Sequence, residues 1–268
     1  MEVVAVTVKK ILIIARNAGS GELTYYNRID SEFSEMAMAR DADAIAEGIL
    51  QSGYIPVVYA PRATYDKNYY AHYARFVEKA TVIYTAGDLA IALPEISAAV
   101  LSGVPAKAGT SNAFMDETFA PRFRDYYIDG KTVGEIGIYK TFLAMNGIKI
   151  VGFVGDKAAC EEANAELGNV FTVVTKTATS RFCANVVISA DEIRQKATSE
   201  TKTALADFTA EKFVKPAAAN VGIEFMREDD LEDFLFVNDG CGFVRTGARR
   251  VAKTVKNTRN LPDFTGTW

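Results

Sequence analysis

One glutamate of the sequence is placed to direct a carboxylate into the protein interior. Glu135 falls in register with Ile138, Phe142 and Met145 at helical spacing, so it shares their apolar face. It also stands in the first turn of the predicted helix, where the helix dipole favours an acid. A buried carboxylate needs a metal ion, an arginine or a substrate as its partner, because an uncompensated buried charge is costly. The alternative is a helix-start glutamate that reaches solvent or a backbone amide.

A glycine-containing loop follows the first apolar run. Residues 11–15 read as a buried strand, and Arg16, Gly19 and Gly21 come directly after it. Glycines at this point let backbone amides approach an anion. The third glycine of a dinucleotide fingerprint is missing and no helix begins at once, so a nucleotide cofactor is not indicated. A flexible glycine loop without a ligand remains the alternative.

The histidine and cysteine residues of the sequence give little support for nucleophilic catalysis. His72 is the one histidine of the chain, which excludes any mechanism that needs two imidazoles from one chain. It lies beside an aromatic helical stripe and is interpreted as a packing residue. Cys241, between two glycines, is interpreted as a turn residue, and Cys160, among alanines on a helix, as core packing.

The elements that must position these residues alternate between strand-like and helix-like runs along the whole chain. Residues 125–133 predict a hairpin that turns at Asp129-Gly130, and a helix follows from Gly134 to about Asn146. Residues 148–174 predict a β-α-β unit. We therefore expect an α/β fold of three layers, a sheet covered by helices on both faces, in a single domain over residues 1–268, with a division into two lobes left open.

Composition narrows the function classes. The 268 residues are 49% hydrophobic and 24% charged, with a formal net charge of -4 and no basic block, so we expect no nucleic-acid partner. The apolar stretch 89–106 is broken by Pro94 and Glu95, and the N-terminal residues have the reverse charge order of a signal peptide, so we expect no membrane partner. Three dispersed cysteines without a Cys-x-x-Cys pair favour a reduced, cytoplasmic protein.

Five segments together resemble the zinc-dependent D-aminopeptidase family, the dipeptide-operon type of metallopeptidase. They are 126–137 (YYIDGKTVGEIG), 151–159, 175–181, 221–225 and 245–247, in the expected order. The resemblance implies an α/β fold, ring-shaped homo-oligomers and an ancestral site for peptides with an N-terminal D-residue.

The same resemblance implies that the zinc centre is incomplete. The family builds it from an Asp-x-Glu-Gly after the first strand, two histidines on later loops, and the glutamate of Val-Gly-Glu. Only the last is matched, by Glu135, because the first-strand position reads Arg16-Asn17-Ala18-Gly19 and the histidine positions fall at Arg62 and Pro105. A further catalytic histidine of the family falls at Asp116 or Glu117. We therefore expect no zinc cofactor.

Three hypotheses follow. In the first, the former zinc pocket binds a small anionic or peptide-like ligand, with Arg16, Arg62, Lys107 and Arg181 as ligand-binding residues. In the second, the protein is a metal-independent, or magnesium- or manganese-dependent, amide-bond hydrolase or transferase, and its general base is Glu135, Asp116 or Glu117. In the third, it is a non-catalytic structural subunit. The first predicts that Arg16 pairs with Glu135.

Overall fold

The structure, a computed structural model, describes residues 9–25, 32–60, 77–206, 208–209 and 215–266. Its strands are β1 (Lys10–Ala15), β2 (Ile55–Tyr59), β3 (Thr81–Ile83), β4 (Ile96–Ser102), β5 (Phe123–Ile128), β6 (Lys131–Thr132), β7 (Lys149–Asp156), β8 (Phe171–Ser180), β9 (Cys183–Val186), β10 (Ala218–Phe225), β11 (Val244–Gly247) and β12 (Arg250–Lys256). Its helices are α1 (Glu32–Gln51), α2 (Ala86–Ala92), α3 (Glu135–Met145), α4 (Lys157–Leu167), α5 (Ala190–Ala206), α6 (Glu228–Val237) and α7 (Pro262–Thr265).

The strands form two sheets. The larger has the order β3-β2-β1-β4-β7-β8-β9 and is parallel except for β9. The smaller has the order β11-β12-β10-β5-β6 and is antiparallel. Parallel strands are covered on both faces, which explains why β1 is a continuous apolar run with no exposed residue. The carboxyl ends of β1, β4 and β7 meet at one edge of the larger sheet, where a ligand is expected in such folds.

Helices cover both faces of the larger sheet, as predicted. Ile11 and Ile13 of β1 belong to a buried cluster with α1 and α5. Leu12 and Ile14, which point to the other face, belong to a second cluster with α3. Val221 of β10 belongs to that second cluster too, so the smaller sheet shares its core with the larger one. The α/β fold class is confirmed.

The elements around Glu135 agree with the sequence. The predicted hairpin is β5-β6, with Asp129 and Gly130 both at positive φ in the turn. Helix α3 begins at Glu135 itself, after the N-cap Gly134. The predicted β-α-β unit is β7-α4-β8. Arg62 and His72 lie outside the described residues.

Helix α2 was not predicted. Thr85 is its N-cap, and the Thr85 hydroxyl and the Asp88 carboxylate form a reciprocal capping box. Within the described residues, no helix combines the length and the apolar character that crossing a membrane requires.

Candidate functional site

Arg16 begins the loop at the end of β1, where the backbone of this loop almost touches the end of β4. Its N–H donates to the carbonyl of Ser102 at 2.8 Å. Gly103, the residue that follows Ser102, has a φ of +68°, and a Cβ atom there would lie 1.9 Å from the Arg16 carbonyl oxygen. Only glycine fits at this approach, so the position of the Arg16 backbone depends on Gly103.

Glu135 lies opposite Arg16 and is fully buried. Its Oε1 accepts a hydrogen bond from Arg16 Nη2 at 3.1 Å and a second one from the backbone N–H of Phe119 at 3.0 Å. The predicted pair is therefore present, and the inward register of Glu135 on its helix is correct. The alternative in which Glu135 reaches solvent is wrong, because the apolar residues of the same helix face carry it into the core. The part of that alternative in which it reaches a backbone amide is present beside the ion pair, since the amide is that of Phe119.

The electrostatics of the pair are those of two buried charges. Burial raises the pKa of the Glu135 carboxyl to about 7, and the guanidinium of Arg16 opposes that rise. Burial alone would lower the pKa of Arg16, but Glu135 together with Tyr139, Glu117 and Tyr59 outweighs it, so the pKa is higher than usual and the guanidinium stays charged. Near neutral pH the pair is thus one fixed cation beside a carboxyl that can gain or lose a proton.

Two polar atoms at this site lack a hydrogen-bond partner within the described residues. They are Glu135 Oε2 and the hydroxyl of Tyr139, both of which are inaccessible to solvent. Tyr139 follows Glu135 by one helical turn, so the two share a face of α3. Burial, followed by the charge of Glu135, raises the pKa of Tyr139 well above its ordinary value, so the hydroxyl keeps its proton. Buried polar groups without partners are rare and mark places where another polar group can bind.

The acids at 116 and 117 have different surroundings. Asp116 is committed on both oxygens, since Oδ2 accepts the N–H of Gly109 at 2.6 Å and Oδ1 lies 3.5 Å from Arg181 Nε. The carboxylate of Glu117 forms no hydrogen bond or ion pair with the described residues, and its backbone N–H donates to the carbonyl of Ala106 at 3.0 Å. Its pKa is raised by burial, while Arg16 and Arg181 both act to lower it. Glu117 therefore lies within the electrostatic reach of both arginines.

Lys107 lies beside the N-terminus of α3. Its backbone N–H donates to Glu162 Oε2 at 2.7 Å, and Glu162 in turn acts to raise the pKa of Glu135. The structure thus gathers Glu135, Glu117, Asp116, Arg16 and Arg181 into one electrostatic cluster, with Lys107 beside it. Whether these residues bind a ligand or catalyse a reaction stays a prediction.

Sequence reasoning missed two residues of the site. Tyr139 was visible in principle, because it follows Glu135 by four positions on the stripe that placed Glu135 inward. Glu162 carries no such signal, since its contact with Lys107 joins residues that are 55 positions apart.

The loop after Arg16 is held by a buried acid that also escaped notice. Asp41 of α1 accepts hydrogen bonds from the Ser20 hydroxyl at 3.0 Å and from the Gly21 N–H at 2.9 Å. Burial raises its pKa to about 6, against the effect of these two donors. The glycine loop is thus fixed by side chains, and the interpretation of a flexible loop is wrong.

The residues present do not fit a zinc ion. The Arg16 guanidinium already occupies one oxygen of Glu135, and a second cation there would repel it. Within the described part of the chain, no three histidine, cysteine or acidic side chains are grouped so that they would hold a metal ion. Zinc sites are built from imidazole, thiolate and carboxylate ligands, and this donor set supplies carboxylates beside arginines.

Comparisons with known proteins agree with the architecture. The D-aminopeptidase family model matches residues 22–264. A search of curated proteins gave no match. Among solved structures, the chain is similar to the Zn-dependent D-aminopeptidase DppA from Bacillus subtilis, a self-compartmentalizing protease. The TM-score is 0.78 at 19% sequence identity, over 96% of this chain and 95% of that one. At this identity the likeness establishes the fold.

Proposed function

The chain belongs to the D-aminopeptidase family, and from that premise we propose that it binds a small anionic or peptide-like ligand at the Arg16–Glu135 pair instead of using zinc there. The observation that carries the proposal is the guanidinium seated on Glu135 beside two buried polar atoms without partners. A guanidinium presents N–H donors in a planar fork that suits a carboxylate or a phosphate.

Each residue has a distinct part in such binding. Arg16 is the member of the pair that reaches solvent, since its side chain is 16% exposed and that of Glu135 is 0% exposed, so a ligand meets the guanidinium first. Arg181 is half exposed and supplies a second cation at the outer end. Glu117, between the two arginines, accepts a hydrogen bond from an ammonium or amide group. A peptide-like ligand carries both kinds of group.

The test measures binding by calorimetry in the presence of EDTA, with D-alanine, D-alanyl-D-alanine, acetate and inorganic phosphate as probes. Replacing Arg16→Met should weaken the binding of the probe that binds best by roughly tenfold or more, because a hydrogen bond to a charged group is lost. The matched control is Arg124→Met, which removes an exposed arginine paired with Glu224 on the smaller sheet. Equal affinities in the two variants, or one tightly bound equivalent of zinc, would contradict the proposal.

A second candidate function is amide-bond hydrolysis or transfer with Glu117 as general base. The observation that favours it is the carboxyl of Glu117, which has a raised pKa and no partner among the described residues. Asp116 is less suited, because both of its oxygens are occupied. We expect D-alanyl amides and D-alanyl peptides not to be cleaved, with or without added zinc. Cleavage that survives EDTA and is abolished by Glu117→Gln, or that requires magnesium or manganese, would instead support this second function.

We also propose a homo-oligomer larger than a dimer, in the cytoplasm. Its support is the solved relative described as self-compartmentalizing, together with large exposed apolar side chains such as Phe236 and Ile91. Light scattering at micromolar concentration should give a mass of several chains. A monomer mass would overturn it.

A further inference from the structure

Lys176 is a fully buried lysine that the proposed function does not use. It lies in β8, and its Nζ donates hydrogen bonds to three backbone carbonyls of the loop that follows Arg16. The acceptors are Ala18 at 2.6 Å, Ser20 at 2.9 Å and Leu23 at 2.6 Å. One ammonium thus donates to three buried carbonyls, of which that of Ser20 also accepts the N–H of Leu23 at 3.2 Å.

The surroundings of this ammonium are those of a bound cation. The ring of Phe114 covers it, with Nζ 4.1 Å from the ring centroid. Burial lowers the pKa of Lys176 to about 7, and the charges of Asp156 and Asp41 oppose that change. Three carbonyl oxygens, an aromatic face and two nearby carboxylates would equally suit an alkali or ammonium ion. In this protein the cation at that position is the ammonium group of Lys176.

The same loop is also tied to β8 and to Gly103, the residue that follows β4. The hydroxyl of Thr175, next to Lys176, donates to the carbonyl of Gly19 at 3.0 Å, and the N–H of Gly19 donates to the carbonyl of Gly103 at 2.8 Å. Gly103 is the residue against which the Arg16 carbonyl packs. The nearest carbonyl held by Lys176, that of Ala18, belongs to the second residue after Arg16.

We propose that Lys176 is a positioning residue whose ammonium acts as a built-in monovalent cation, setting the shape of loop 16–24 and thereby the placement of Arg16 against Glu135. The proposal goes beyond the proposed function, because it concerns the loop and requires no ligand. Its failure and the failure of ligand binding are therefore separate results.

The experiment removes the cation and returns it as a small molecule. Lys176→Ala keeps Cβ and deletes the remaining three carbons and the amine, which together correspond to propylammonium. In the full chain, this variant should lower the thermal unfolding midpoint by roughly 5–10 °C, because three buried carbonyls lose their donor. It should also open the Arg16–Asn17 bond to trypsin, with the cut identified by mass spectrometry. Added propylammonium should restore the midpoint and the resistance to trypsin, and 1-propanol should restore neither.

Two further variants separate the charge from the volume. Lys176→Met fills the same space without a charge, so it should be cut after Arg16 and should not respond to propylammonium. Lys140→Ala is the matched control, since Lys140 donates to a single carbonyl, that of Glu166, on the exposed surface. It should keep the resistance to trypsin after Arg16 and show no response to propylammonium.

Four results would overturn the proposal. One is resistance to trypsin after Arg16 in folded Lys176→Ala. Another is equal rescue by 1-propanol, which would show that the cavity matters and the charge does not. If neither variant of Lys176 folds alone, added propylammonium should restore the refolding of Lys176→Ala. Failure of propylammonium to restore refolding is the third result. In the wild type, acetic anhydride should modify Lys140 much faster than Lys176, and equal rates would also contradict a buried, engaged ammonium.

Discussion

The Arg16–Glu135 pair joins a guanidinium that touches solvent to a carboxylate that does not. Truncating Arg16→Met at pH 8 should therefore lower the free energy of unfolding by about 3–5 kcal/mol, because it strands a buried charge. Glu135→Gln should cost less, since Arg16 is partly exposed and water can reach it. In urea denaturation, the double variant should lose less than the sum of the single losses.

The exposed Arg124–Glu224 pair is the control for this cycle, and its coupling should be within about 1 kcal/mol. Additive effects of Arg16 and Glu135 would show that the two groups do not stabilise each other.

Glu135 should also make the stability of the protein depend on pH. Burial raises its pKa from 4.5 to about 7, so the folded state holds the proton more tightly than the unfolded state does. The stability that this group contributes is present below pH 4.5 and is lost as the pH rises through 7, by on the order of 3 kcal/mol. Compared with Glu135→Gln, the wild type should lose stability across this window. If the free energy of unfolding of the wild type, minus that of Glu135→Gln, stays constant or rises with pH, the raised pKa of Glu135 is contradicted.

The Tyr139 hydroxyl should contribute nothing to stability without a ligand. Tyr139→Phe removes a buried hydroxyl that has no partner, so the free energy of unfolding should stay unchanged or rise by up to about 1 kcal/mol. Tyr126→Phe is the matched control, because its hydroxyl donates to the carbonyl of Phe264 at 2.7 Å. Its loss should cost about 1–2 kcal/mol. Equal losses in denaturant unfolding would mean that Tyr139 has a partner after all.

For individual residues, the sequence alone predicts the features that follow from the periodicity of apolar positions. The inward direction of Glu135 follows from the spacing of its apolar neighbours, whereas its pairing with Arg16 was predicted from the resemblance to the D-aminopeptidase family, which places both residues at the zinc position. The contacts of Asp41 and Lys176 with loop 16–24 join distant parts of the chain through side chains, and no local pattern records them.

At the scale of elements, the approach of the loop after β1 to the end of β4 fixes the site. Gly103→Ala should lower the free energy of unfolding by more than about 4 kcal/mol, because the new Cβ would overlap the Arg16 carbonyl and the φ is positive. Gly109→Ala is the matched control, since Gly109 has a φ of +84° but nothing within 4 Å of its added Cβ. It should cost only about 1–2 kcal/mol. Similar losses in urea denaturation would contradict the close approach.

Elements with strong local signals were predictable, and those defined by tertiary pairing were not. The hairpin at Asp129-Gly130 and the start of α3 depend on turn and capping preferences that a short window contains. The grouping of β10 with β5 and β12 into a separate antiparallel sheet depends on partners 93 or more residues away for β5, which no window covers.

At the scale of the whole molecule, one buried cluster connects the two sheets through α3. The helix that carries Glu135 is therefore fixed from both sides, by Leu12 and Ile14 of β1 and by Val221 of β10. The carboxylate of Glu135, in the first turn of this helix, has little freedom to move toward solvent. Its charge must therefore be compensated by a group that lies in the interior, here the guanidinium of Arg16.

The cradle around Lys176 also sets an order of events during protein synthesis. The three loop carbonyls precede their ammonium by 153 to 158 residues, and Arg16 precedes Glu135 by 119. A nascent chain that ends before α3 therefore carries the first strand and its loop with neither partner yet made, and one that ends before β8 still lacks Lys176. Synthesis must proceed at least 153 residues beyond this loop before the corner can close, so the loop acquires its final shape long after it has itself been translated.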